Sequence, residues 1–556
     1  MHDATAASEL PGSTNVVVVG SGIGGLATAV TLAEKSVDVV VVEKSDYIGG
    51  SSGISAGQLW VPDSYLARSA GIEDSVETAV DYLTNAAGTL YEQPAEARHF
   101  VASAGEAVEY FADTIDLSLQ LILGLPDYFY PDEHAKPEGR YLEPKPFAAG
   151  ERLGELNDRI PHSPQLPGGM TSTEMTEWGG SFALEDWNWD LIESRRAEDV
   201  RTMGAALVGS FLEACLDRGV DVHVSTEVTE LVERDGRIAG VVVERDGDEA
   251  TVEATEGVVL NTGSYDWNQR MVEELKQLPD EHAASVAVPS TTGDGLRMAG
   301  LEGARVATYP PIAGASTFML KIPGEHFQGS QLYRYCYNVG LPRTVVVDSS
   351  GERFCDESFY PEHKKELHDP TGEFPHLPCW LVFDDDYLDD YPIGNTKPGG
   401  EVNPDLLAAK SDTLAGLAEE LSIPAEAFVS QVRQFNENAR RGEDPEFGRG
   451  TRPWAHVWAG DPSHEPNPNL GPIETGPFYA VRLYVGFSSM STVGLVTTDH
   501  GQVRNWNDDP IDGLYATGSV CAPVEWGIGY QSGVQNARSL AYGYLIGQHM
   551  AHEGQP

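Results

Sequence analysis

Four consecutive valines, Val16 to Val19, set the hydrophobic pattern of the chain. An apolar run with no polar residue interleaved predicts a strand buried on both faces. Gly20-Ser21-Gly22-Ile23-Gly24-Gly25 follows and opens a predicted helix through Glu34. A second apolar run, 37–42, broken only by Asp38, predicts another strand that ends at Glu43. Within 66–115 the period becomes helical, over 75–88 and 96–114. Residues 124–146 and 165–190 show no period and are rich in Pro, Gly and aromatics. A helix is predicted over 203–219, then strands over 221–227 and 237–244 around a turn at Asp235-Gly236. Residues 251–254 read as a strand beside them, and 257–260 as a further buried strand ending at Asn261-Thr262-Gly263-Ser264. Thr292-Gly293-Asp294-Gly295 opens another helix, with Asp294 the expected N-cap. Farther on, strands are predicted over 344–348 and 380–384, and helices over 404–421 and 425–440. The pattern closes with a short strand over 511–519, a loop over 520–532 and a helix over 533–549.

The first elements form a βαβ unit with the G-x-G-x-x-G spacing at Gly20, Gly22 and Gly25. Such glycines let backbone N–H groups approach a pyrophosphate, and the helix N-terminus behind them favours that anion. Glu43 stands where a carboxylate accepts hydrogen bonds from ribose hydroxyls. A second loop, Gly49-Gly50-Ser51-Ser52-Gly53, offers further donors and favours FAD over NAD. It also matches G-x-S-x-G, but no strand runs into it and no His or Asp pattern supports a triad. The candidate cofactor positions are Gly20, Ser21, Gly22, Gly24, Gly25, Glu43, Lys44, Gly50, Ser51 and Ser52. Val228, expected near the adenine edge, joins them, with Thr262, Gly263 and Asp294. Gly518, Ser519 and Val534 flank a late strand-to-helix junction, where a helix N-terminus stabilises an anionic reduced flavin. The fold expected is α/β: a Rossmann-like FAD-binding domain of the glutathione-reductase type, formed by 1–305 and 486–556. An α+β substrate and catalytic domain, 306–485, is inserted into it, because that stretch lacks glycine-led βα units.

Composition narrows the classes. A length of 556 residues suits two domains, and 41% apolar residues suffice for ordinary cores. No apolar run reaches the length of a membrane span. Residues 1–13 read as a mobile tail without signal-peptide features, so the cytoplasm is expected. Five dispersed cysteines form no C-x-x-C pair, which argues against zinc or disulfide frameworks. His363 and His368 near Cys355 are expected as solvated surface residues rather than metal ligands. A balance of 86 acids against 36 bases disfavours nucleic acid or an anionic membrane as partner. It fits either a very soluble surface or adaptation to high salt.

With these pieces in place the chain resembles the FAD-dependent 3-ketosteroid Δ1-dehydrogenases, within the wider fumarate-reductase-type flavoproteins. The resemblance lies in GSGIGG at 20–25, the segment 43–63, PDYFYPD at 126–132 and GRYLEPKPF at 139–147. It continues in GERFCDESFY at 351–360, WLVFDDDY at 380–387, FGRG at 447–450, NPNLGPI at 467–473, GPFYAV at 476–481 and IDGLYATGS at 511–519. It implies 1,2-dehydrogenation of a cyclic ketone, with hydride transfer to the N5 atom of non-covalent FAD and proton transfer to a tyrosine. It further implies a small-molecule ketone substrate and a separate electron acceptor. By the same resemblance Tyr360 accepts the proton, Tyr128 assists it, and Tyr530 binds the ketone oxygen with a backbone amide near Gly533. Tyr530-Gln531-Ser532-Gly533 stands where the family carries Tyr-Pro-Gly-x-Gly, and 489–494 replaces a Gly-Thr-Lys-Gly-Gly run. With the added bulk of Trp526, these changes fall where ketone and flavin are expected to meet. A smaller ketone of the cyclohexanone type, or a shifted double bond on a steroid, stays open. A fumarate-reductase-like ene reductase is the second reading, weakened because Pro361-Glu362-His363 beside Tyr360 supplies no Arg. A flavin-binding protein without turnover is the third.

Overall fold

Two sheets carry the mixed α/β fold in the computed structural model, which describes residues 9–87, 94–309, 316–367 and 374–553. Residues 1–8 of the expected tail, and His368, lie outside the described residues. The first sheet is built on the valine run. Ser13–Val19 lies between Val39–Val42 and the end of Asp248–Leu260, parallel to both. Pro510–Ala516 extends the sheet beyond Asp248–Leu260, and Asp221–His223 extends it beyond Val39–Val42, again in parallel. Alternate valines enter different cores. Val16, Val18, Val39 and Val41 pack with the helices Ile23–Glu34, Met203–Asp217 and Val534–Glu553. Val17, Val19, Val40 and Val42 face a core shared with the second sheet. Burial on both sides is why these strands carry no polar alternation.

The second sheet runs in the order Ser330–Tyr335, Ser316–Phe327, Phe478–Phe487, Cys379–Phe383 and Thr344–Asp348. Leu407–Ser411 pairs antiparallel with Phe478–Phe487, and Ala283–Ser285 joins the same strand in parallel.

Several elements differ from the sequence expectation. The segments 251–254 and 257–260 belong to one strand, Asp248–Leu260. Its first half pairs antiparallel with Arg237–Arg245 and its second half parallel with Ser13–Val19. The polar Thr255-Glu256 pair between them marks a register irregularity before Gly257, whose φ is 143°, rather than a turn. The strand expected over 221–227 splits into Asp221–His223 and Glu227–Arg234, each in a different part of the sheet. Of the helix expected over 404–421, Leu414–Leu421 forms as α-helix, capped by Thr413, and Pro404–Leu406 as a single 3-10 turn, because Leu407–Ser411 is drawn into the second sheet. Tyr141–Pro144, in the stretch without period, is a strand paired with Leu59–Trp60 and Leu119–Leu121. The N-cap of Asp294–Leu301 is Gly293, with φ 82°, and not Asp294, whose carboxylate is engaged by Lys44 instead.

The net charge of −50 makes one expectation measurable. Raising KCl from about 0.1 M to about 1 M shortens the screening length from about 10 Å to about 3 Å. The melting temperature should rise by on the order of 5 °C as acidic self-repulsion is screened. A calorimetric scan showing no rise would leave the bland soluble-surface reading.

Candidate active site

One continuous cavity runs from the glycine turn to a group of tyrosines. At the first end it is lined by Gly20, Gly22, Gly24, Glu43, Lys44, Gly50, Ser51 and Ser52. Val228, Thr262, Gly263, Asp294, Gly518 and Ser519 complete that wall. The turn has no room for side chains. Gly20 has φ 103°, and a Cβ at Gly22 would lie 2.8 Å from Asn261 Nδ2. A Cβ at Gly25 would lie 2.2 Å from the Gly20 carbonyl oxygen. Asn261, which also lines the cavity, and Thr517 press on the turn, so a side chain there would have no room.

Three expected cofactor positions do not line the cavity. Gly25 lies inside the first helix turn. Val534 is fully buried in the core. Ser21 is buried behind the turn, where its Oγ donates to Glu43 Oε2 at 2.7 Å and accepts from the Gly49 N–H at 2.9 Å. It thereby fastens the two glycine loops to each other. Glu43 also accepts from the Ser21 N–H at 3.0 Å and the Ser45 N–H at 2.9 Å, which fixes its carboxylate with lone pairs to spare. Lys44 Nζ donates to Asp294 Oδ2 and Thr292 Oγ1, both at 2.6 Å. Thr262 Oγ1 is buried and has no hydrogen-bond partner among the described residues, although it sits on the cavity wall. Glycines set for close approach, a fixed carboxylate and an unspent hydroxyl together fit FAD.

At the other end the cavity is lined by Tyr128, Tyr360, Tyr530, Ser532 and Gly533, with Gln165, Leu166, Tyr335, Tyr337 and Trp458. Tyr128 comes from the loop before Tyr141–Pro144, Tyr360 opens the helix Tyr360–Leu367, and Tyr530 leads into Val534–Glu553. The rings of Tyr128 and Tyr360 meet edge to face at 5.4 Å, and those of Tyr360 and Tyr530 at 6.3 Å. Trp454 packs behind, 4.4 Å from Tyr128 and 5.9 Å from Tyr360. Burial pushes the Tyr360 phenol well above its usual range, and the neighbouring Tyr128 and Tyr530 push it the same way. Its hydroxyl has no hydrogen-bond partner of good geometry among the described residues. Burial also raises Tyr128, against a downward pull from Ser532 and Tyr360.

Below Tyr360 lies a buried ion cluster. Arg353 pairs with Glu357 at 2.6 Å and with Asp444 at 2.9 Å, and Arg449 stands 3.4 Å from Glu357. Burial alone would raise the Glu357 carboxyl, but Arg353 and Arg449 outweigh it and hold it low. Asp356, buried and without an ion pair among the described residues, is raised to about 6 by burial. His363 is not a surface residue. It is 2% exposed, its Nε2–H donates to the Glu357 carbonyl at 2.7 Å, and burial pushes it down to about 4. Among the described residues no His, Cys, Asp and Glu group could hold a metal ion.

Trp526 is likewise not at the cavity. It is fully buried against Phe100, at 5.9 Å. Of the segment 489–494, Ser489 lines the cavity whereas Met490 is in the core. Sequence reasoning missed Gln165, Tyr335, Tyr337, Trp458 and the backing residues Asn261 and Thr517. No local spacing marks them, since they reach the site from different elements.

Residues 15–533 match the FAD binding domain family. The chain is 30% identical to a 3-oxosteroid 1-dehydrogenase of Mycolicibacterium smegmatis, over 96% of each chain. It is 31% identical to a 4-oxocyclohexanecarboxylate 2-dehydrogenase of Sinomonas cyclohexanicum, over 97% of this chain and 93% of that one. Its fold is similar to that of the 3-ketosteroid delta1-dehydrogenase of Sterolibacterium denitrificans, solved in complex with 1,4-androstadiene-3,17-dione. There the TM-score is 0.86 and the identity 29%, over 98% of this chain and 100% of that one.

Proposed function

The chain belongs to the FAD-dependent family of the 3-oxosteroid 1-dehydrogenases, and we propose that it carries out 1,2-dehydrogenation of a 3-ketosteroid. The observation that carries this reading is the meeting of Tyr128, Tyr360 and Tyr530 at the end of a cavity whose other end is a dinucleotide cradle. FAD, when bound, supplies the two-electron acceptor. Gly20, Gly22, Gly24, Gly50, Ser51, Ser52, Thr262, Gly263, Gly518 and Ser519 would hold it, with Glu43 to accept from its ribose hydroxyls and Val228 at its adenine edge. Lys44 and Asp294 close that end as a pair. Ser21, Gly25 and Val534 act from behind the wall.

The Tyr530 hydroxyl and the Gly533 N–H donate to the ketone oxygen and stabilise the charge that gathers there as the neighbouring C–H is broken. Tyr360, in its phenolate form, takes the proton and becomes the phenol, and Tyr128, in edge contact with it, assists.

The cavity lining also bears on substrate class. Among the described residues its one cation is Lys44, already paired with Asp294. A carboxylated cyclohexanone would bury its charge without a cation near the tyrosines, which is costly. A fumarate-type diacid would face the same cost, doubled. A neutral ketone with an extended ring system matches the aromatic wall of Tyr335, Tyr337 and Trp458. Anaerobic mixing with 4-androstene-3,17-dione should bleach the flavin, and 4-oxocyclohexanecarboxylate should not. Bleaching by the acid alone, or reoxidation of the reduced enzyme by fumarate, would overturn the steroid reading.

The finer architecture is part of the same proposal: a Rossmann-like FAD-binding domain of 1–305 and 486–556, interrupted by a substrate domain of 306–485. The parallel order of the first sheet supports it. A cytoplasmic location is proposed on the five free, buried cysteines, which suit a reducing compartment. Among the described residues no helix is long and apolar enough to cross a membrane.

A further inference from the structure

We propose that Tyr82 and Trp60 are positioning residues, which hold the loop of Tyr128 and the loop of Tyr530 in register across the cavity. The catalytic consequence rests on the reading of those two tyrosines given above.

Tyr82, in the helix Val76–Ala87, is 1% exposed and does not line the cavity. Its hydroxyl donates to Gln531 Oε1 at 2.9 Å and accepts from the Phe129 N–H at a longer 3.5 Å. One oxygen thus joins the residue after Tyr128 to the residue after Tyr530. Trp60 repeats the device on the other flank. Its indole N–H donates to Asp127 Oδ1 at 3.0 Å, and its backbone N–H donates to the Gly533 carbonyl at 3.1 Å. That joins the residue before Tyr128 to the last residue of the ketone clamp.

Both bridges are themselves pinned. Arg140 pairs with Asp127 and with Asp74, each at 2.7 Å, and its guanidinium lies over both rings, 5.5 Å from Trp60 and 5.1 Å from Tyr82. Gln531 Oε1 accepts from two hydroxyls, Tyr82 at 2.9 Å and Tyr141 at 3.2 Å, which hold its side chain in place. Positions this close to the reacting atoms are sensitive, since a displacement of about 1 Å costs up to about 100-fold in rate.

A plain structural role is separated from this one by a matched pair of variants. Tyr82→Phe and Tyr141→Phe each delete one hydroxyl donating to the same Gln531 oxygen, but only Tyr82→Phe unhooks Phe129. Amide hydrogen exchange on the FAD-loaded protein should quicken in both loops, 127–129 and 530–533, in Tyr82→Phe. In Tyr141→Phe the loop 127–129 should stay as in the wild type. With 4-androstene-3,17-dione, Tyr82→Phe should lose about tenfold in kcat with little change in KM, and Tyr141→Phe less than about threefold. Should Tyr82→Phe fail to fold, Gln531→Met removes the shared acceptor and should loosen 530–533 and lower kcat likewise. Equal exchange and equal rates in the two tyrosine variants would overturn the proposal. If the exchange pattern holds but no variant, nor the wild type, acts on the steroid, the bridge stands and the substrate reading falls.

Discussion

Tyr360→Phe should retain its FAD and its fold while losing about 10²- to 10⁴-fold in kcat, the usual worth of a positioned proton acceptor. The substitution keeps the ring, so the edge contacts with Tyr128, Trp454 and Tyr530 persist. It deletes an oxygen that makes no hydrogen bond of good geometry among the described residues, so little native stability goes with it. The pH profile sharpens the test. Burial holds this phenol above its ordinary value, so the fraction able to take a proton grows as pH rises. Wild-type kcat should therefore climb with pH through the alkaline range, and the climb should vanish in Tyr360→Phe. Steady-state rates with 4-androstene-3,17-dione across pH check both parts. A variant within threefold of wild type would remove Tyr360 from the chemistry.

Glu357→Ala should have the largest effect on stability, about 3–5 kcal/mol, the cost of breaking a buried pair by deleting one partner. Arg353 and Arg449 are almost fully buried, and both face this carboxylate. Asp444 would remain for Arg353, but Arg449 would keep only carbonyl and hydroxyl acceptors at Leu341 and Thr344. Glu357 lies a single turn of chain before Tyr360, and its carbonyl holds His363 in the helix that Tyr360 opens. Loss of the cluster should thus lower kcat as well. Urea unfolding of the FAD-loaded protein measures the first effect, and a loss below about 1 kcal/mol would show the cluster to be nearly neutral.

How much of this could be read beforehand varies with distance along the chain. The glycine turn was legible because its whole logic is local: strand, glycines, helix, strand and acid follow one another within residues 16–43. The tyrosines were legible only through longer motifs around them, since a lone buried tyrosine gives no spacing to read. Tyr335, Tyr337 and Trp458 give no signal: the first two are neighbours at a strand end, a placement equally common for core residues, and Trp458 comes from a distant helix. Asp248–Leu260 reads as two strands because Thr255-Glu256 breaks the apolar pattern, and nothing local says that one strand can change partners. His363 and Trp526 were misplaced for a related reason. Their side chains are polar or bulky in sequence, and only the packed neighbours Phe318 and Phe100 reveal burial.

The last helix crosses the first at glycine contact: a Cβ at Gly543 would meet the Gly24 carbonyl at 2.6 Å, and one at Gly547 would meet Thr31. Pro510–Ala516 likewise completes the sheet beside Asp248–Leu260. During synthesis the glycine turn and the first helix therefore emerge before the helix that covers them, and Asp248–Leu260 emerges before its outer neighbour. The cavity is complete only once the residues of 518–539 that line it are in place, so an unfinished chain leaves apolar surface uncovered.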